Sequence, residues 1–139
     1  MSKEEVLKRC NAITKNTLME TLSIEYVDIG DNYLVARMPV NKKVYQPDGV
    51  LHGGAMVALG ESVGSAAAIV FMDPSKHSVR GIEISANHVR GIKEGFVYAK
   101  AQPLHLGRTT QVWDIKITDE DDNLISAIKL TTIALPKAQ

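Results

Sequence analysis

Residues 50–72 read VLHGGAMVALGESVGSAAAIVFM, and Glu61 is the one charged side chain among them. A lone carboxylate in an apolar segment is expensive to bury, because its charged form loses hydration and its pKa rises unless donors surround it. Acids placed in this way cluster at catalytic sites, although an ion pair with a distant arginine or a solvent-facing strip of helix would also account for one. Ser65 lies four residues further on, over the same helical face, where its hydroxyl can bond the carboxylate or hold a water beside it. Ser62 is adjacent in the chain but turned away by about 100°. The same segment opens with His52, Gly53 and Gly54. N–H groups in a first helical turn have no intrahelical partner, and the helix dipole is positive there. Glycines let an oxygen approach those groups closely, as an oxyanion hole requires. Gln46, in the preceding loop, offers a further side-chain donor.

The spacing of these groups constrains how they act together. Gly53 and Glu61 are eight residues apart, so about 12 Å of helix separates their backbones at 1.5 Å per residue. Side chains lean toward the helix N-terminus, which recovers only a few ångströms. One carbonyl group can hardly touch both within one chain. If Glu61 acts on a carbonyl held by the Gly53 N–H, the two residues come from different subunits, and a homodimer with interface sites is expected.

The elements that must position these residues follow from periodicity and turn chemistry. Residues 3–22 suit one amphipathic helix, with Val6, Leu7, Cys10, Ile13 and Leu18 on its inner side. A strand pair follows over 24–29 and 33–38, joined by Gly30-Asp31-Asn32. Residues 39–49 read as a loop. From 52 to 72 the pattern is helical and ends at Asp73-Pro74. Strands are expected at 81–89, 96–101, 111–118 and 124–135, with Ile82, Ile84, Ala86 and His88 on one face of the first. Short turns between them favour an antiparallel meander. A helix apolar nearly all round should be enclosed, so the expected fold is α+β, a long central helix wrapped by a curved antiparallel sheet.

Composition bounds the function. The 139 residues are expected to form a single domain, residues 1–139. Sixteen Lys+Arg balance sixteen Asp+Glu, and there are only four Tyr, two Phe and one Trp. Neither a basic face nor a base-stacking platform is expected, so nucleic acid is not the partner. Residues 50–72 are long enough to cross a bilayer, but Glu61 near the centre would cost about 2.5–3.5 kcal/mol on insertion scales, so a buried helix is the better account. One cysteine, Cys10, and an N-terminus MSKEEVLKRC without an apolar stretch point to a reducing, cytoplasmic setting. The run Asp119, Asp121, Asn123 lacks the glycine and the glutamate of a calcium loop and reads as a polar hairpin turn. Cys10 and Trp113 read as core contacts. His77 and His105 have no metal-ligand spacing.

Several motifs in register now carry a resemblance. Gln46-Pro47-Asp48-Gly49-Val50-Leu51-His52-Gly53-Gly54, then Leu59-Gly60-Glu61-Ser62 and Ser65, resemble the hotdog-fold acyl-CoA thioesterases. The likeness continues through residues 81–90 (GIEISANHVR) and Pro103-Leu104-His105-Leu106-Gly107-Arg108, nearly the whole chain. It is nearest to the branch acting on aromatic acyl-CoAs, the 4-hydroxybenzoyl-CoA, phenylacetyl-CoA and 1,4-dihydroxy-2-naphthoyl-CoA types.

The resemblance implies hydrolysis of an acyl-CoA to a free acid and coenzyme A, with no cofactor, since coenzyme A is part of the substrate. It implies Glu61 as nucleophile or general base and the Gly53 N–H as oxyanion donor. Gln46 and His52 would orient the thioester carbonyl and the catalytic loop, and Ser65 would help position water. Ser62 and His88 would line the substrate site, while Arg90, Gly107, Arg108 and Thr109 match positions near the coenzyme A phosphates. It also implies homodimers paired into homotetramers. Asp48 stands where the nearest relatives carry a larger apolar residue, and Gly60 where alanine is usual. Two other classes share this architecture: an acyl-thioester hydratase or dehydratase, whose His-Phe-Pro opening is absent here, and a non-catalytic acyl-CoA-binding module, which would not need Glu61, Gly53 and Ser65 together.

Overall fold

The computed structural model describes residues 1–138. Its central element is helix α3, Gly53–Phe71, which packs on five of the six strands. The helix starts where His52, in extended backbone, turns its side chain back to accept the Gly54 N–H at 2.7 Å. It stops at Met72, one residue before Asp73-Pro74, because proline disfavours helical backbone in the residue before it. Two glycines set the closeness of approach to the sheet. A Cβ on Gly60 would stand 2.7 Å from Ile128 Cδ1, and one on Gly64 would stand 2.6 Å from Leu130 Cδ2 and 2.9 Å from Ile115 Cδ1. Gly60 is thereby explained as a packing choice against Ile128.

The strands are β1 (Glu25–Ile29), β2 (Leu34–Pro39), β3 (His77–His88), β4 (Phe96–Leu106), β5 (Thr110–Thr118) and β6 (Leu124–Pro136). All pairings are antiparallel, in the spatial order β1-β2-β4-β5-β6-β3. The expected meander therefore holds only for β4, β5 and β6. Strand β3 does not lie beside β4; it pairs with β6 at the sheet edge, and β4 pairs with β2. The segment 89–95 crosses the end of the sheet to make this possible. It is held there by Leu51 N–H to Ile92 O and Val40 N–H to Gly95 O, both 2.8 Å. The core lies between α3 and the sheet, with Leu59, Val63 and Ala67 facing Leu34, Met38, Val97, Ala99, Trp113, Ile115 and Leu130, all essentially inaccessible. Trp113 and Cys10 are buried as expected, and burial pushes the Cys10 thiol up.

Two further expectations are corrected. The stretch 3–22 is not one helix. Helix α1, Lys3–Ala12, ends as the Asn11 amide leaves the helix surface to bond both backbone groups of Tyr26, donating at 2.9 Å and accepting at 2.7 Å. Asn16 then takes a left-handed φ of 62°, and a single turn, α2, covers Leu18–Thr21. Ile13 and Leu18 are consequently exposed. In β3 an irregularity between Gly81 and Glu83 breaks the alternation, so Ile82 is 57% exposed while Ile84 and Ala86 stay half-buried.

The turn at Asp119–Asn123 is a polar hairpin turn, its Asp119 carboxylate accepting the Asp121 and Asn123 N–H groups at 2.9 Å. Those bonds, with the Asn123 amide, hold its carboxyl below the usual range. Replacing Gly64 by valine should destabilise the fold by about 1–3 kcal/mol, since the added carbons have no free space. The urea-denaturation midpoint would report this, and an unchanged midpoint would contradict the helix–sheet contact described.

Candidate active site

The residues singled out by chemistry fall into two clefts, one toward each end of α3. The first is bounded by Gln46, Val50, Gly53, Met56, His88 and Arg90. Its loop is tightly specified. Tyr45 and Leu51 form an isolated bridge, Gln46 N–H donates to Val50 O at 2.8 Å, and Gly49 N–H donates to Gln46 O at 3.0 Å with Gly49 at a left-handed φ of 78°. Gln46 Oε1 accepts the Asp48 N–H, which leaves its amide N–H groups as the donor end. Asp48 is exposed and lines neither cleft.

At the helix start, Gly54 N–H is taken by His52 Nδ1, while the Ala55 and Met56 N–H groups go to the His52 carbonyl. The Gly53 N–H is left without a partner among the described residues. His52 is thus a cap, and its own N–H donates to Val44 O at 2.8 Å to tie the loop down. Gly53 cannot be replaced freely: a Cβ there would lie 2.9 Å from both Cδ2 and Nε2 of His88. His88 comes from the far end of β3, opposite Ser126 of β6.

The second cleft holds Glu61, Ser62, Ser65 and Ile69 of α3, facing Tyr26 and Met19. Glu61 is exposed in the chain, not buried, because the sheet covers only one side of α3 and leaves the strip with Glu61 and Ile69 open. No cation lies within ion-pair distance of it among the described residues. Its carboxylate reaches toward β3, where a Cβ on Gly81 would sit 3.0 Å from Oε2. Ser65 lines the same cleft, as its spacing implies. Ser62 does so too, despite its turn around the helix, with its hydroxyl donating to Ala58 O at 2.6 Å.

Three cleft residues escape sequence reasoning. Tyr26 is 3% exposed, its hydroxyl donates to Ser62 O at 3.1 Å, and burial pushes its phenol far above the ordinary value. Ile13 and Met19 reach the cleft from the broken N-terminal segment. Tyr26 in a five-residue strand and Met19 carry no signal of their own; Ile13, which fits an inner helix face, carries a misleading one.

The candidate phosphate contacts are not brought together within the chain. Arg90 stands at the rim of the first cleft. Gly107, Arg108 and Thr109 form the β4–β5 turn, which is fixed by Gly107 N–H to Thr110 O at 3.0 Å, Ala134 N–H to Thr109 O at 2.7 Å and Gln111 Nε2 to Gly107 O at 2.9 Å. Along β6 that turn is level with Ile133, whereas His88 is level with Ser126. The seven residue steps between Ser126 and Ile133 span about 23 Å of strand.

A long helix laid along a six-stranded antiparallel sheet, with a glycine amide free at its start and a carboxylate midway, defines a hotdog-fold protein of the kind that handles acyl thioesters. The thioesterase superfamily model matches residues 48–126, more than half the chain. The 1,4-dihydroxy-2-naphthoyl-CoA hydrolase of Escherichia coli K12 is 44% identical over 129 residues, 93% of this chain and 94% of that protein. The proofreading thioesterase EntH of Cronobacter turicensis is 43% identical over 129 residues, 93% of each. Among solved structures, a glutamine-to-alanine mutant of a Pseudomonas aeruginosa thioesterase superposes with a TM-score of 0.92 at 41% identity, covering 94% of both chains. A Haemophilus influenzae thioesterase does so with 0.92 at 38%, covering 96% of this chain and 92% of the other. The chain belongs to the thioesterase superfamily and is a thioester hydrolase.

Removing the Tyr26 hydroxyl tests how the second cleft is held. Tyr26→Phe should cost about 1 kcal/mol of stability, the worth of one hydrogen bond. Thermal denaturation would measure it, and a variant as stable as the parent would remove the Tyr26–Ser62 bond from the account.

Proposed function

We infer that the protein hydrolyses acyl-CoA, with an aromatic acyl group as the preferred substrate, in sites completed by a second copy of the chain. One observation carries this reading: the oxyanion donors and the carboxylate lie in separate clefts of the same helix. Each cleft holds half of what thioester hydrolysis requires. In the first, the Gly53 N–H and the Gln46 amide are placed to hold the carbonyl oxygen and offset the charge that develops on it. In the second, Glu61 is placed with Ser65 to supply the attack. Glu61 either adds to the carbonyl carbon, expelling the CoA thiolate and leaving an anhydride that water opens, or removes a proton from a water that attacks instead. Both routes consume one water and give the acid and the thiol.

The free edge of β3 supports the pairing. An exposed strand edge offers unpaired N–H and C=O groups to a second strand. Antiparallel pairing of β3 with its own copy, centred between Ile84 and Ser85, would set Gly81 of each chain opposite His88 of the other. Glu61 lies at the Gly81 end and Gly53 at the His88 end, so one two-fold axis would generate two complete sites. Pairing of such dimers into a tetramer would let Arg90, Arg108 and Thr109 from different copies meet the coenzyme A phosphates, which need cations and donors. The aromatic preference is supported by the Escherichia coli relative, named for a naphthoyl-CoA substrate, and by the apolar walls supplied by Met19, Tyr26 and Ile69.

Thiol release from benzoyl-, phenylacetyl- and medium-chain acyl-CoAs tests the reading. Fastest release is expected from the aryl substrates, and binding of all three with no release would overturn it in favour of a binding module. Glu61→Ala should lower kcat by about a hundredfold or more while leaving the oligomer intact. Light scattering at assay concentration should give a dimer or larger, and a fully active monomer would sink the shared site.

A further inference from the structure

Strands β3 and β6 run antiparallel with His88 opposite Ser126. Val89 N–H donates to Ile125 O at 2.8 Å, which makes 89 and 125 a hydrogen-bonded pair and 88 and 126 a non-hydrogen-bonded one, the kind whose side chains approach most closely. Ser126 is fully buried, a polar side chain in an otherwise apolar stretch. Its Oγ lies 2.9 Å from His88 Nδ1 and donates to the Asn87 carbonyl at 3.3 Å. A hydroxyl has one proton, and a carbonyl oxygen can only accept. Both contacts are satisfied together when the Ser126 proton goes to Asn87 and the His88 Nδ1–H donates to Oγ. A neutral imidazole with its proton on Nδ1 has a bare lone pair on Nε2. That atom lies against Gly53, 2.9 Å from where a Cβ would be.

The wall beside the free Gly53 N–H is therefore an acceptor. It cannot serve a developing oxyanion, which its lone pair repels, and the Gly53 and Gln46 donors already serve that oxygen. A hydrogen-bond donor on the substrate is what Nε2 can take. In an acyl-CoA the N–H nearest the thioester belongs to the amide two methylenes from the sulfur. We propose that Ser126 is a positioning residue: it locks His88 as the Nδ1–H tautomer, so that Nε2 accepts the hydrogen bond of this amide. The site then selects thioesters of amide-bearing thiols over simple alkyl thioesters. The selection rests on the thioesterase reading, whereas the tautomer does not.

Nitrogen-15 NMR of the histidine rings in the substrate-free protein, with His88 assigned from a His88→Gln spectrum, tests the lock directly. Nδ1 protonated and Nε2 bare is the expected result, and the opposite tautomer would overturn the proposal. Kinetics test the selection, comparing one acyl group carried on N-acetylcysteamine and on propanethiol. The parent should prefer the amide-bearing thioester. Ser126→Ala should lower kcat/KM for it by about tenfold and leave the propanethiol ester within about twofold, the signature of one lost hydrogen bond to substrate. Ser126→Thr, which restores a hydroxyl, should recover the preference. Equal losses on both esters would reduce Ser126 to a structural role. If the parent hydrolyses neither, the thioesterase reading fails, and the ring nitrogens still decide the Ser126 assignment.

Discussion

The pitch of one helix governs this protein. Gly53 and Glu61 are eight residues apart in α3, and at 1.5 Å per residue about 12 Å of helix separates their backbones. A helix cannot be bent to bring them together without losing its contact with the sheet. That contact is close: Gly60 and Gly64 leave no room for even a methyl group beside Ile128, Ile115 and Leu130. The rigidity that stabilises the fold thus keeps the two clefts apart. The proposed completion by a second copy uses the free β3 edge that runs from Gly81 to His88.

Each cleft is fixed by bonds that engage most of its polar groups internally. His52 takes the Gly54 N–H, Gln46 takes the Asp48 N–H, Ser62 is tied to Ala58, and Tyr26 to Ser62. What remains free is small and directional: the Gly53 N–H, the Gln46 amide, the His88 Nε2, and the Glu61 carboxylate with Ser65 beside it. Preorganised groups of this kind contribute in the transition state without reorganising at the moment of reaction.

Much of this was legible in the sequence, for physical reasons that also explain what was not. Glu61 stood out as the one charge in an apolar segment, and Gly53-Gly54 as glycines where helix amides are free. Both signals are local. The strand order was not local: Lys93-Glu94-Gly95 reads the same whether it closes a hairpin or ends a crossing, so β3 was expected beside β4 rather than at the edge. Ile13 and Leu18 carry the periodicity of the N-terminal helix past its end, while the interaction that ends it, Asn11 with Tyr26, spans fifteen residues. The burial expected for Glu61 assumed a helix enclosed on all sides, and the sheet of one chain covers only part of it. Ser126 was invisible, since a serine in a strand has no sequence signature and only its partners give it a role.

The central claim is that one active site draws residues from two chains, and complementation measures it. Glu61→Ala and Gly53→Val chains, each inactive alone, would be co-expressed in equal amounts and purified together without separating the hybrids. Random pairing should return about a quarter of parental activity, since half the dimers would be hybrid and each would hold one intact site. Hybrids as inactive as the two single variants would contradict the shared site, and with it the reading of the two clefts as halves of one.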